Sequence, residues 1–149
     1  MIRVAVQPGA IDVAAENDRH DAGGHGASAS FVGRVRGDGG LAELFLEHHP
    51  VMTQAALDAL AQAAAERWTL SAVTLIHRVG AMVPGDTIVL VLASSPHRSE
   101  ALAAAAFLID RLKTDAMLWK RETFADGRAA WVEQRESDLD RAAQWGEGS

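Results

Sequence analysis

Apolar and polar positions along this chain change their period several times, and each change marks an element. Ile2 to Gln7 predicts a short strand. Asp12 to Arg19 predicts a short helix, with Asp12 as its N-cap. His20 to Ser28, rich in glycine and small residues, predicts a loop. Ala29 to Arg36 predicts a strand with Phe31, Gly33 and Val35 on one face and Arg34 and Arg36 on the other. Asp38-Gly39 is a hairpin-type turn signal, and Leu41 to His49 alternates again, with Leu44 and Leu46 opposing Glu43, Phe45 and Glu47. A first hairpin is therefore expected here.

A helical period comes next. Pro50 suits a first helical turn, and Met52 to Trp68 carries the helix, with Ala56, Leu57, Leu60 and Ala64 as its apolar stripe. Val73 to Val79 and Thr87 to Ala93 predict strands joined by the turn Pro84-Gly85-Asp86. Ser95 as N-cap and Pro96 at the first helical position predict a second helix running to about Lys113. It is apolar almost all round (Leu102, Ala105, Leu108, Ile109, Leu112), which predicts a central buried helix. Trp119 to Phe124 and Ala130 to Gln134 predict short strands around a turn at Asp126-Gly127. From Asp138 the chain is polar apart from residues such as Trp145, a tail able to dock or fray. There is no internal repeat or composition break. The pattern predicts one α+β domain over residues 1–149, with short antiparallel strand pairs packed on two main helices and 138–149 as a polar tail.

Composition narrows the function classes. The 149 residues are 48% hydrophobic and 23% charged, with a formal net charge of −6. That balance fits a soluble globular domain with a real core. The negative charge argues against a general nucleic-acid binder, which needs a broad basic face. No signal-peptide pattern opens the chain, and Ala101 to Ile109, its most apolar stretch, is far too short to span a bilayer. The expectation is a cytoplasmic protein with no membrane partner. The chain has no cysteine, so thiolate metal sites, disulfides and cysteine nucleophiles are excluded. Six histidines show no HExxH or comparable spacing, and the adjacent pair His48-His49 faces opposite ways on a strand. No metal or other cofactor is expected. P-loop and GxSxG patterns are also missing.

The remaining chemistry is cationic. His97-Arg98 stands at a predicted helix N-terminus, where the helix dipole favours an anion, so an arginine there conflicts with the dipole unless an anionic ligand is bound. Charge placement alone equally admits a solvated arginine and a capping histidine. Lys113 ends the same helix, where a cation is favourable in any case. A helix of about 16 residues is roughly 24 Å long, so the two groups sit at opposite ends of one rod. They serve one large ligand, or a second subunit brings the ends together. Lys120 and Glu122 share one side of their strand and Arg121 takes the other. A lysine among other charges can move protons, but an exposed salt-bridged edge strand fits the same residues.

Six ordered segments carry a resemblance. They are Phe31-Val32-Gly33-Arg34-Val35-Arg36, Leu46-Glu47-His48-His49-Pro50-Val51-Met52, and Ile76-His77-Arg78-Val79-Gly80 with Pro84-Gly85-Asp86. Then come Ser95-Pro96-His97-Arg98-Ser99, Leu112-Lys113-Thr114 with Trp119-Lys120-Arg121-Glu122, and Trp131 to Asp138. In this order, from about residue 28 to residue 145, the chain resembles the catalytic (large) subunits of the molybdopterin synthases. The resemblance implies an α/β-hammerhead-like fold and a homodimer with a small ubiquitin-like sulfur-carrier subunit docked at each end. The carrier's C-terminal Gly-Gly thiocarboxylate would enter the large subunit's pocket. Two sulfurs would pass from successive carriers to cyclic pyranopterin monophosphate, making the dithiolene of molybdopterin, with no metal bound by the large subunit. The nearest alternative is a non-catalytic dimeric module that binds a phosphorylated metabolite.

Carried over residue by residue, the resemblance implies a substrate pocket of Arg34, Val35, Arg36, His97, Arg98, Lys113, Lys120, Arg121, Glu122 and Arg135. Arg36, His97 and Arg98 would hold the cyclic phosphate. Lys113 would orient the thiocarboxylate and stabilise oxyanions, and Lys120 would move protons. Three features depart from the family pattern. The loop Gly37-Asp38-Gly39-Gly40 is short, Met117 and Asp115 stand where proline and a basic residue are frequent, and His49 replaces a frequent tyrosine.

Overall fold

The computed structural model describes residues 1–132 and 136–146. In chain order they form strand β1 (Ile2–Gln7), helix α1 (Val13–Asp21), β2 (Ala27–Arg34), β3 (Leu41–His48), α2 (Pro50–Trp68), β4 (Ala72–Arg78), β5 (Gly80–Met82), β6 (Thr87–Ser95), α3 (Arg98–Asp115), β7 (Leu118–Phe124), β8 (Ala129–Val132) and α4 (Glu136–Ala143). The strands make two four-stranded sheets, ordered β1-β4-β6-β2 and β5-β3-β7-β8. Only β1 with β4 is parallel; the other pairs are antiparallel. The expected α+β class is the class observed.

The first sheet is covered on both faces, which explains why β4 and β6 read as nearly continuous apolar runs. On one face Val73, Leu75, Val89 and Val91 pack under Leu57, Leu60, Ala61 and Ala64 of α2 and Phe107, Leu108 and Leu112 of α3. Ile76, Leu90 and Leu92 pack with Ile11 and Val13 on the other. There α1 also inserts His20, 1% exposed, whose ring nitrogens reach Thr74 Oγ1 at 2.9 Å and Ser94 Oγ at 2.5 Å. Ser28 Oγ extends this network to Ser94 at 2.7 Å. A buried polar group is tolerated when each of its polar atoms is paired, as here. The second sheet has its own small core of Val35, Leu44, Leu46 and Met82.

The tail docks. Trp145 packs edge-on against Phe107 and Trp68, with ring centroids 5.6 and 5.8 Å away, and its indole N–H donates to Asp110 Oδ2 at 2.9 Å. The Arg67 guanidinium lies 4.9 Å from the Trp68 ring and 5.4 Å from the Trp145 ring, closing the cluster. This anchors α4 against α3, and the helix begins two residues before the boundary expected for the tail.

Four local expectations need correction. The first hairpin does not form: β2 pairs with β6, and β3 pairs with β5 and β7. Both segments alternate, so local pattern allowed them to pair. The long apolar β6 offers β2 a fully buried partner, and this outweighs local turn chemistry. Asp38–Gly40 instead makes one 3-10 turn, with Gly39 and Gly40 at φ 66° and 81°, carrying the chain from one sheet to the other. The expected loop from His20 is shorter, because α1 continues to Asp21 and β2 starts at Ala27. Helix α3 starts at Arg98 rather than at Pro96, since Ser94 and Ser95 are held in β6 opposite Ser28 and Ala27. Leu102 of α3 is 62% exposed, so that helix is buried along a stripe rather than all round. In the strand expected over Ala130 to Gln134, residues 133 and 134 lie outside the described residues.

His77 closes the end of β4 at 6% exposure, with Nδ1 2.9 Å from the Arg78 carbonyl oxygen. Burial pushes its pKa from the ordinary 6.5 down to about 4. The unfolded chain therefore takes up a proton before the native one does. Stability is whole above pH 6.5 and drains away as pH falls through 4. Urea unfolding across this range is expected to lose about 3 kcal/mol through His77. His77→Gln should flatten that slope; an unchanged slope would rule out His77 as its source.

Candidate functional site

The chain leaves the first sheet at a register shift between Gly33 and Arg34. Val35, only 4% exposed, lies just beyond it, between two exposed arginines, Arg34 and Arg36. Val35 is fixed from both sides of its backbone. Its N–H donates to the Asp86 carbonyl and its carbonyl accepts from Gly85 N–H, each at 2.9 Å. Its side chain packs with Leu44, Leu46 and Met82 of the second sheet. The strand expected over Ala29 to Arg36 therefore ends at Arg34, and Val35 packs in a different core from Phe31, because the register shift and the bonds to the Gly85–Asp86 turn redirect the chain; the exposed–buried–exposed order of Arg34, Val35 and Arg36 is kept. Arg36 Nε is 3.4 Å from Asp38 Oδ2 with both side chains largely in solvent, so that pair constrains little.

The second sheet separates the three consecutive charged residues of β7. Lys120 stands opposite Leu46, and Glu122 opposite Leu44. Directly opposed residues of an antiparallel pair share a face. Lys120 and Glu122, both partly buried, thus lie on the face that carries Leu44, Leu46 and Val35. Arg121 takes the other face, opposite Phe45 and Trp131. Its guanidinium lies 4.9 Å from the Phe45 ring and 5.5 Å from the Trp131 ring, a cation–π clamp. Phe45 and Trp131 were not among the candidate residues. Strand alternation separated Arg121 from its neighbours, but no local spacing reveals which rings a distant strand supplies.

Lys113 is in the last turn of α3, where the helix dipole favours a cation. Its Nζ is 3.9 Å from Asp138 Oδ1 of α4, a contact that sequence spacing does not disclose. The chain then turns through Ala116, 3% exposed, and Met117 at φ 54°, and enters β7 at Leu118. Proline cannot take that φ, so the frequent proline of the family pattern is incompatible with this corner. Lys113 and Lys120 therefore flank one tight bend from helix to strand.

His97 and Arg98 are elsewhere. His97 is the N-cap of α3 and makes no side-chain capping bond; its own N–H donates to Ser95 Oγ at 3.2 Å. Both residues are exposed, so the N-terminal N–H groups of α3 and the Arg98 guanidinium face the same solvent. The approach of β2 is close here: a Cβ on Gly26 would lie 2.5 Å from the Pro96 carbonyl oxygen. From Arg98 to Lys113 the helix rises about 22 Å. The register of β2 agrees, because Ala27 pairs with Ser95 while Arg34 pairs with Thr87 at the far end of β6. One chain thus gathers Arg34, Val35, Arg36, Lys113, Lys120 and Glu122 toward one pole and sends His97 and Arg98 to the other. Arg135 lies outside the described residues.

Among the described residues no three His, Asp or Glu side chains are grouped to hold a metal ion. His49, one of the adjacent pair, caps α2 instead: its Nδ1 accepts from Met52 N–H at 3.1 Å. No helix among the described residues is long and apolar enough to cross a membrane.

Comparisons with known proteins identify the family. A family model described as "MoaE protein" matches residues 6–115. A protein of Brucella melitensis named molybdopterin synthase catalytic subunit is 45% identical over 150 residues, covering 98% of this chain and 92% of the relative. The Escherichia coli K12 protein of the same name is 48% identical over 124 residues, covering 80% of this chain and 81% of the relative. The solved structure of the molybdopterin biosynthesis MoaE protein from Burkholderia ambifaria superposes with a TM-score of 0.84 at 40% identity, covering 98% of this chain and 99% of that one. With a family match over most of its length and relatives of this identity, the chain belongs to the MoaE family.

Proposed function

We propose that this chain is the catalytic subunit of a molybdopterin synthase and acts as a sulfurtransferase on cyclic pyranopterin monophosphate. The observation that carries the reading is the bend flanked by Lys113 and Lys120, with Arg34 and Arg36 on either side of Val35, which packs with the Leu46 that stands opposite Lys120, in a protein whose net charge is −6. Cations concentrated at one point of an acidic surface attract an anion there rather than a general polyanion. Curated relatives that bear the catalytic-subunit name support the same reading, and that name implies a second, non-catalytic subunit. The partner proposed is a small sulfur carrier whose Gly-Gly tail ends in a thiocarboxylate.

In this reading the nucleophile comes with the partner, so a chain without cysteine can serve. The thiocarboxylate sulfur attacks a carbon of the pterin precursor, forming a C–S bond as a C–O bond at that carbon breaks; water then cleaves the acyl C–S bond, releasing the carrier as its carboxylate and leaving the sulfur on the pterin, and a second carrier repeats the exchange at the neighbouring carbon. Lys113 sits where the tail arrives and offsets its negative charge in the attacking complex. Lys120, on the partly apolar face with Leu44, Leu46 and Val35, exchanges a proton as the cyclic phosphate opens. Glu122 on the same face is placed to tune Lys120. His97 and Arg98 supply a phosphate grip of charge-assisted bonds at a helix N-terminus.

That grip is about 22 Å from Lys113 along one helix, too far for one pterin. The complete site therefore needs two copies of the chain, each giving Lys113 and Lys120 to one site and His97 and Arg98 to the other. Such an arrangement is natural for a closed two-fold dimer.

The direct test is reconstitution with thiocarboxylated carrier and pterin precursor, read as dithiolene product. No product with a competent carrier would sink the enzymatic reading, and precursor binding without turnover would favour a sensor. Lys113→Ala is expected to lose about a hundredfold or more in kcat with the fold intact; near-normal turnover would show that Lys113 is misassigned. Arg98→Ala should weaken precursor binding about tenfold or more, and an unchanged affinity would count against its phosphate role. The two variants also test the shared site. Mixed as reassorted dimers, they should recover about a quarter of the parent rate, because half the dimers are mixed and one of their two sites is intact. No recovery beyond the sum of the separate variants would place both residues in the same chain's site.

A further inference from the structure

A buried hydroxyl meets the bend between the two lysines. Thr53, in the first turns of α2, is fully buried at 0% exposure. Its Oγ1 donates to the Met117 carbonyl oxygen at 2.9 Å and accepts from the His49 backbone N–H at 3.1 Å. One side chain thus ties the α3–β7 bend to the junction of β3 and α2, across 64 residues of sequence. Both tied points flank the site. His48, at the end of β3, is in register with Leu118, two residues before Lys120, and Leu46 of the same strand is opposite Lys120.

The bend also has a conformation that its own residues do not favour. Met117 takes φ 54° with a side chain that prefers negative φ. A non-glycine residue stays in the left-handed region when its surroundings over-determine it. Among the described contacts, the Thr53 hydroxyl bonds that residue's carbonyl directly. A change in direction at residue 117 would swing β7 relative to α3, and so move Lys120 relative to Lys113.

We infer that Thr53 is a positioning residue for the reaction: its hydroxyl locks the Met117 bend and so sets the separation and orientation of Lys113 and Lys120. The inference rests on the proposed sulfurtransferase reading for its activity readout. The hydroxyl does not touch substrate. It acts through the bend, and the effect on rate comes from the steep dependence of catalysis on placement.

The test compares Thr53→Val, which keeps the shape and removes the hydroxyl, with Thr53→Ser, which keeps the hydroxyl. Thr74→Val serves as a control, since Thr74 is also buried and hydrogen-bonded but on the α1 side of the first sheet. In the reconstituted complex Thr53→Val is expected to lower kcat about tenfold or more while KM for the precursor moves less than about threefold. Thr53→Ser should restore most of kcat. Thr74→Val should keep kcat even where its melting temperature falls as far as that of Thr53→Val. Equal losses for Val and Ser at position 53, or a kcat loss in Thr74→Val matching its loss of stability, would overturn the positioning role.

A second measurement stands apart from turnover. Amide hydrogen exchange at Met117 to Trp119 should quicken about tenfold or more in Thr53→Val and return toward the parent rate in Thr53→Ser. If the parent complex makes no product, the functional reading fails and the exchange arm still decides the lock. Unchanged exchange in Thr53→Val would overturn it.

Discussion

Helix α3 is a rigid rod that starts on His97 and Arg98 and carries Lys113 in its last turn, and the geometry of the candidate site depends on its length. A continuous helix cannot bring Arg98 and Lys113 closer than its rise allows, about 22 Å. The rod cannot easily bend either. Ala101, Ala104, Phe107, Leu108 and Leu112 bury one stripe of it against β2, β6 and α2, and Trp145 pins it from the C-terminal side. Small alanines along the first half let the helix lie close to Ala29 and Ala93, and Phe107 fills the wider space beyond them. Packing of this kind fixes the distance between the two poles. A ligand of pterin size must then be completed by a second chain, or must use one pole only.

The other constraint is the meeting of the two sheets. The first sheet carries α2 and α3 on one face and Ile11, Val13 and His20 on the other. The second is smaller and lies against it through Val35, whose backbone is bonded to the Gly85–Asp86 turn. A single apolar residue inserted between sheets leaves its neighbours Arg34 and Arg36 in solvent, one on each side of the anchor. The cationic pole is thus a by-product of how the sheets are joined. The charge is carried by chain segments that have just left or are about to enter a sheet, where side chains are not committed to a core. Loops and element ends held by a rigid scaffold are where binding groups commonly sit.

Much of this could be read from local pattern. Leu44 and Leu46 announce the inner face of β3, the capping Asp12 announces α1, and the period of Ala56, Leu57, Leu60 and Ala64 announces the buried stripe of α2. The separation of Arg98 from Lys113 came from helix rise alone. Pairing, by contrast, lay beyond local pattern. The alternation of residues 29–36 and 41–49 is satisfied by any antiparallel partner, and the choice of β6 for one and β7 for the other depends on burial that only the assembled fold defines. The start of α3 at Arg98 has a related cause. Ser95-Pro96 is a good helix opening in isolation, but Ser95 is already a rung of β6 opposite Ala27. Leu102 shows the limit of counting apolar residues, since an apolar side chain on a helix need not face the core. In the site, the residues expected from the family pattern are, apart from Val35, all of chemistry-bearing type. The ones it missed act on them from a distance: Phe45 and Trp131 around Arg121, and Asp138 near Lys113.

Thr53 belongs with these silent contributors, because it ties together the elements that carry two lysines exposed to different degrees. Lys113 is on a helix end and half in solvent; Lys120 is on a strand and partly buried. Independent side chains on two different elements would lose their relative placement to small motions of either element. The bend between them is therefore the point where rigidity matters most. A left-handed methionine costs conformational energy there, and a buried hydroxyl that satisfies both a carbonyl and an N–H offsets the cost. The same hydroxyl anchors the bend to β3, the strand paired with β7. The bend, the strand and the helix N-terminus thus form one closed loop of constraints around the lysine pair, and strain at Met117 is held in the fold at the point where the reaction would need fixed geometry.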